Sequence, residues 1–291
     1  NASAYIREAV ESALAQTYPN LEVVIVNDGS TDDTGEIARS FGPRVRVVDQ
    51  ENRGIAGARN TAIEHARGSI IALLDADDVW MPERLDRCVD LLQSDPRIGF
   101  VTTDAFLIID DVPTDQRYYG AYQKFPFPAI DRQLDEIAKR NFVLVSVVFD
   151  RRLLRITGRA FDATMRAAED FDLWSRFLLM GARAGLVPEP LALYRIRKDS
   201  VSRIRDKQWA AHRLVLERNL PRLWLGGASG RARDEHEIGV DLIRRGERRL
   251  GLRYVSRACS EREASLRQRI RFAATASLAF ARPHRRTHGP S

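Results

Sequence analysis

Cysteine is nearly absent from this chain. Cys88 and Cys259 are the only two in 291 residues, and neither stands in a CxxC or Cys/His spacing, which argues against a disulfide framework and against a cysteine-built zinc site. A reducing, cytosolic compartment fits that usage. Histidine is scarce too, with five in all, and His65 falls on a helical stretch where a surface or packing role suits it. Long apolar runs are missing: nothing approaches the roughly 20 residues of a membrane-spanning helix. What remains is ordinary globular material, 44% hydrophobic and 30% charged, which argues against disorder along the whole length. The chain opens on Asn1, so the sequence is silent about any leader.

Charge is unevenly placed. From Asp206 onward there are 19 Lys and Arg against 9 Asp and Glu, which leaves the first 205 residues at −4 within a chain of net +6. An acidic front carries a basic tail.

The hydrophobic pattern is that of an α/β protein. Tyr5, Ile6, Ala9, Val10, Ala13 and Leu14 recur at helical spacing, and Pro19 and Asn20 end the stripe. LEVVIVND, residues 21 to 28, is a β-branched run of the kind covered on both faces. GSTDDTGEIARSF follows, with Ser30 or Thr31 as the expected helix cap and Asp32 and Asp33 in the first turn. VRVVD reads as a strand, AGARNTAIEHARG as a helix and SIIALLDADD as a strand. Such alternation predicts a parallel sheet. Further on, MPERLDRCVDLLQSD reads as a helix, GFVTTDAFLII and LVSVVFDR as strands, and AAEDFDLWSRFLLMG as a helix. Residues 110 to 140 lack a period and are expected to form an irregular loop. GLVPEPLALYRIRKDSVSR reads as a short strand with a long turn.

In IIALLDADDVW, residues 70 to 80, three carboxylates crowd into four positions at the end of an apolar run. Residues two apart in an extended segment face one side, so Asp75 and Asp77 can converge on one point at the carboxyl end of the strand, where open α/β sheets bind ligands. Two converging carboxylates suit Mg or Mn with phosphate oxygens completing the shell. A solvated acidic turn is the plain alternative, since short acidic motifs are common. A second acid, Asp28, ends the earlier strand, where an ionised carboxylate can accept an N–H of a base. Together the two acidic sites would lie along one sheet edge that a nucleotide diphosphate can bridge. Trp80 and Trp174 are either sugar-stacking or core aromatics.

The runs AYIREAVESALAQTYPNLEVVIVNDGSTDDT, GIAGARNTAIEHARGSIIALLDADDVW, AEDFDLWSRFLLMG and VPEPLALYRIRKDSVSR, in that order over residues 1 to 204, resemble glycosyltransferase family 2. The resemblance implies a GT-A fold: a Rossmann-like, mostly parallel sheet flanked by helices, followed here by a helical, Arg-rich region over residues 205 to 291. It implies an inverting, metal-dependent hexosyl transfer from a nucleotide sugar, UDP-linked by expectation, to a hydroxyl of a glycan or glycolipid in cell-surface polysaccharide synthesis. By resemblance Asp28 holds the base, with Asn27 where an Asp is common. Asp75 and Asp77 form the DxD, Asp77 as direct ligand of Mn or Mg and Asp75 nearer the ribose. Arg59 lies near the diphosphate, and Asp170 is the catalytic base. Arg197 stands where many relatives carry a His and is expected to contact the leaving group. Relatives begin with a strand and a Pro-x-Tyr-Asn-like loop, so the sheet's first strand is expected to be missing ahead of Asn1.

Physical chemistry agrees with these roles. A single displacement at the anomeric carbon needs one carboxylate away from the metal to take the acceptor's proton. Cationic groups on the departing diphosphate remove the need for a separate acid. Asp172, two residues after Asp170 on a helix, points elsewhere and is expected to be structural. In the tail, LRQRIRFAATASLAFA, residues 266 to 281, reads either as a basic helix on an anionic membrane surface, at the inner face, or as a packing helix. Two rival functions stand beside the transferase: a non-catalytic nucleotide-sugar binder, and a nucleic-acid binder acting through the arginine-rich tail, which lacks any accompanying recognition motif.

Overall fold

The computed structural model describes residues 1–158, 160–165 and 167–197, and separate positions between 211 and 259. Contacts divide the chain into two units, Asn1–Leu134 with Phe142–Asn219, and Asp135–Asn141 with Leu220–Ser291. The eight strands and the acidic residues singled out above lie in the first. The expected boundary at 204/205 and the basic run 266 to 281 lie outside the described residues.

Strand and helix alternate at first as the pattern predicts, through α1 (Ile6–Leu14), β1 (Val24–Asp28), α2 (Thr34–Ser40), β2 (Arg46–Gln50), α3 (Gly54–His65) and β3 (Ile70–Ala72). Then come β4 (Val79–Trp80), α4 (Arg84–Ser94), β5 (Ile98–Ile109), β6 (Val112–Arg117), α5 (Gln133–Ile137), β7 (Val147–Asp150), α6 (Arg152–Thr157), α7 (Glu169–Leu179) and β8 (Arg183–Ile196). β1 and β2 pair in parallel. The other strands form a mixed sheet ordered β3-β7-β5-β8-β4, with β6 also on β5. In it β5 and β8 run parallel and the remaining pairs antiparallel.

The chain reverses after β5 through Asp110 and Asp111, both at positive φ (48° and 65°). That is the two-residue geometry which joins antiparallel strands with their native twist. Residues 110 to 140 are therefore not the irregular loop expected: they hold a hairpin strand and short helical turns. β8 is likewise longer than its two prolines suggested. Register shifts around Asp104 accommodate Pro188 and Pro190, since a bulge needs no ladder N–H from proline.

Burial follows residue chemistry. α1 buries Ile6, Ala9, Val10 and Ala13, and its buried Ser12 accepts the Trp80 main-chain N–H at 3.1 Å. α7 lies on the sheet through Trp174 and Phe177, with Trp174 stacked on Phe100 at 5.7 Å. Trp174 is 0% exposed, a core residue for which a sugar-stacking role is set aside, while Trp80, 6% exposed and packed in the core, also borders the cavity beside β1 and β3. Trp80 donates its indole N–H to Ser146 Oγ at 2.9 Å, which answers the polar end of a buried ring.

Neither β1 nor β3 has a strand on its second edge among the described residues. A cavity of about 910 Å³ lies beside both, lined by Val24, Val26, Ile70 and Ala72 from the strands and by Val10 and Leu85 from α1 and α4. Its lining also includes Asp28, Arg59, Asp75, Asp77 and Arg197.

Candidate active site

The acidic stretch is a turn. β3 ends at Ala72, Leu73 N–H still reaches Val147 O at 2.9 Å, and the Asp78 N–H then closes on the Asp75 carbonyl at 3.1 Å. Asp75 and Asp77 are therefore brought to the same cavity by a turn, not by strand alternation, because an i to i+3 bond reverses the chain within those four residues. Asp78 is 3% exposed and accepts the Arg195 main-chain N–H at 2.9 Å. Burial, followed by the charges of Asp75 and Asp77, holds the Asp78 carboxyl well above the usual range. Burial and then Asp75 push Asp77 up as well.

Asp28 ends β1 and turns into Gly29, whose φ of 71° suits glycine and whose added Cβ would lie 3.0 Å from Asn52 N. The carboxylate accepts Gln50 Nε2–H at 2.6 Å and Arg53 N–H at 2.8 Å, which fixes one oxygen. Asn27 donates to Asp49 at 2.8 Å. The side-chain helix cap expected from Ser30 or Thr31 is not made: Asp33 stands at the N-cap of α2 without a side-chain cap bond, and Asp32 beside it accepts Thr34 N–H at 3.1 Å. Asp32 also accepts Ser3 N–H at 3.0 Å, and the Thr34 and Ser3 contacts hold its carboxyl low.

Arg59 joins the distant parts. From α3 it donates to Asp75 at 2.7 Å and to Glu169 at 2.7 Å, with its side chain 11% exposed and its guanidinium 5.4 Å from the Phe161 ring centre. Burial opposes its charge, but Asp75 and Glu169 more than restore it and raise its pKa. The resemblance singled out Arg59 and Asp75 separately, near the diphosphate and the ribose, and not as a pair; Glu169, which adjoins Asp170, was not singled out. Asp170 itself is the second residue of α7. Burial and then Glu169 push its carboxyl up to about 7, against the lowering effect of Arg59. Asp172 is 0% exposed and binds Arg176 at 2.9 Å and Asn219 at 3.3 Å, the structural role expected. His65 donates Nδ1–H to Thr61 O, one helix turn back, at 2.9 Å.

Arg197 pairs with Asp77 at 3.5 Å and stands with its guanidinium 5.3 Å from the Tyr5 ring centre. Arg195, two residues earlier and unremarked in the sequence, contacts Asp77 O, Asp111 and Glu8. The i, i+2 spacing in YRIR was the signal, since such residues share a strand face.

Among the described residues no three His, Cys, Asp or Glu side chains form a metal cluster. The donor set that does exist, Asp75 and Asp77 at 34% and 25% side-chain exposure, is two carboxylates whose mutual repulsion a cation relieves. Hard divalent ions are commonly held this way, with phosphate oxygens and water supplying the other ligands. The residues fit the group.

This α/β frame with its acidic turn is the GT-A class of transferase fold. A mannosyltransferase from Pyrobaculum calidifontis, solved in complex with GDP-Man and Mn2+, superposes with a TM-score of 0.59 at 24% identity over 97% of this chain and 79% of its own. The chain belongs to glycosyltransferase family 2, whose model matches residues 1–154. It is 34% identical over 215 residues to the succinoglycan biosynthesis protein ExoO of Rhizobium meliloti, covering 70% of this chain and 60% of that one. It is 31% identical over 224 residues to the Bacillus subtilis glycosyltransferase TuaG, ascribed to teichuronic acid biosynthesis, covering 74% and 84%. The chain spans about half the length of other curated relatives it matches. No helix among the described residues is long and apolar enough to cross a membrane.

Proposed function

We propose that this chain carries the catalytic site of an inverting, metal-dependent glycosyltransferase that moves a hexosyl group from a nucleotide sugar, UDP-linked by expectation, to a hydroxyl of a glycan or lipid-linked glycan in cell-surface polysaccharide synthesis. The observation that supports it most is the Asp75–Arg59–Glu169 link, two ion pairs of 2.7 Å each. Through it the start of α7, with Asp170, is tied to the acidic turn.

In this reading Asp28 accepts an N–H of the base and Asp75 faces the ribose. Asp77, with Asp75, would hold Mn or Mg, which supplies positive charge against the diphosphate. Arg59 and Arg197 contact the phosphate oxygens as charge grows on them. Asp170 takes the proton of the acceptor hydroxyl. That oxygen bonds to the anomeric carbon as the bond to the diphosphate oxygen breaks, and the electron pair leaves with the diphosphate. A carboxyl near 7 is poised for this, since a base works best with its pKa close to the working pH. ExoO and TuaG, both named for surface-polysaccharide synthesis, support the acceptor class, and a cation-loaded GDP-Man complex supports the donor class.

Two variants separate the roles. Asp170→Asn is expected to lower transfer at least a thousandfold with nucleotide affinity within about threefold, whereas Asp77→Ala loses metal-dependent nucleotide binding. Near-normal turnover in Asp170→Asn rejects the base. Unmutated protein that binds UDP with metal yet shows no turnover favours a non-catalytic binder.

A further inference from the structure

Three acids in four residues need a counter-charge that does not consume the carboxylates themselves. Arg197 does not meet that need alone, because it pairs with the Asp77 carboxylate. Arg195 approaches the same turn differently. Its Nε donates to the Asp77 main-chain carbonyl at 2.9 Å, and its own N–H donates to the Asp78 carboxylate at 2.9 Å. Its Nη atoms reach Asp111 at 2.9 Å and Glu8 at 3.1 Å, and its guanidinium lies 4.6 Å from the Tyr5 ring centre. One side chain thus connects α1, the acidic turn, β8 and the β5–β6 hairpin.

The energetics separate these contacts. Glu8 and Asp111 are 56% and 58% exposed, and such exposed pairs add little to stability. The arginine side chain is only 8% exposed, so its desolvation is a real cost that two solvated partners do not offset. A stabilising role is therefore a weak reason for burying a cation here. Holding the turn is a stronger one: a fork with fixed planar geometry locks the Asp77 main chain, and so aims its side chain, while leaving both Asp77 carboxylate oxygens to other partners.

We infer that Arg195 is a positioning residue for the cation and diphosphate subsite, setting the direction of the Asp77 carboxylate from behind through the Asp77 carbonyl. The inference rests on the transferase reading above and deepens it. Its side chain touches no substrate group in this assignment; it acts through Asp77.

The test is Mn2+ titration followed by the loss of the free-ion EPR signal, with and without UDP, on wild type, Arg195→Gln and Arg195→Lys, alongside thermal unfolding. Folded Arg195→Gln is expected to bind Mn2+ at least tenfold more weakly at temperatures well below its Tm. Arg195→Lys, which keeps the charge but not the fork, is expected to fall between it and wild type, and it serves if the glutamine variant does not fold. A purely structural arginine gives a lower Tm with Mn2+ affinity unchanged within twofold in either folded variant, and that result overturns the inference while leaving the transferase reading intact. A wild type that takes up no Mn2+ with or without UDP overturns both.

Discussion

Asp170 is where the local electrostatics become a prediction about rate. The groups acting on it include Glu169 beside it, Arg59 and Asp75 from the facing elements, and the Phe171 N–H, which donates to it at 2.7 Å. With its carboxyl near 7, kcat/KM is expected to fall about tenfold per pH unit below that value and to level off above it, as measured in a transfer assay from pH 5.5 to 8.5. A flat profile contradicts the assignment. The same shift has a sign for stability. The folded pKa lies above the ordinary 3.8, so the folded chain holds this proton longer than the unfolded chain does, and stability falls as pH rises between those values. Asp170→Asn is therefore expected to melt higher than wild type at pH 8 and no higher at pH 3.5. At this scale Asp28, Arg59, Asp75, Asp77, Asp170 and Arg197 were singled out because each sits inside a motif that carries the family resemblance. Glu169 and Arg195 stood beside or two residues from singled-out positions, but their pairings, with partners 110 and 118 positions away, are recorded by no local pattern.

At the scale of elements, α7 is entered through Ala168, buried and at φ 57°, with no side-chain cap on the helix. A left-handed alanine costs about 1–2 kcal/mol, and here the turn places Glu169 against Arg59. Ala168→Val, which adds a β-branch at a left-handed position, is expected to destabilise by about 2 kcal/mol or more. Ala168→Gly stays within about 1 kcal/mol of wild type, because relief of strain opposes greater freedom of the unfolded chain. Urea midpoints at constant m check both; equal effects from the two variants would show that backbone strain is not what Ala168 carries. The early helices and strands were readable because their apolar residues keep clean periods. The β5–β6 hairpin was hidden by a strand, Val112–Arg117, with little apolar content and mostly exposed residues, and the long β8 by its prolines. The acidic turn was misread as strand because its closing bond is a main-chain contact that side-chain alternation cannot show.

For the whole molecule, the alternation that predicted a parallel sheet holds through β1 and β2, and the mixed order of the larger sheet comes from short antiparallel links that carry no distinctive periodicity. Between β1 and β3 two strand edges border a cavity of about 910 Å³ lined by apolar strand residues such as Val24, Val26, Ile70 and Ala72 and by polar groups that include Asp28, Arg59, Asp75, Asp77 and Arg197. In the proposed reading base, ribose, diphosphate and cation occupy this one connected site, and none of the acids acts alone. The claim is tested most directly by calorimetric titration of the chain with UDP, GDP and dTDP, each with and without Mn2+. The account predicts saturable heat from one nucleotide, present with Mn2+ and lost without it. No heat from any nucleotide, or binding indifferent to Mn2+, would contradict it.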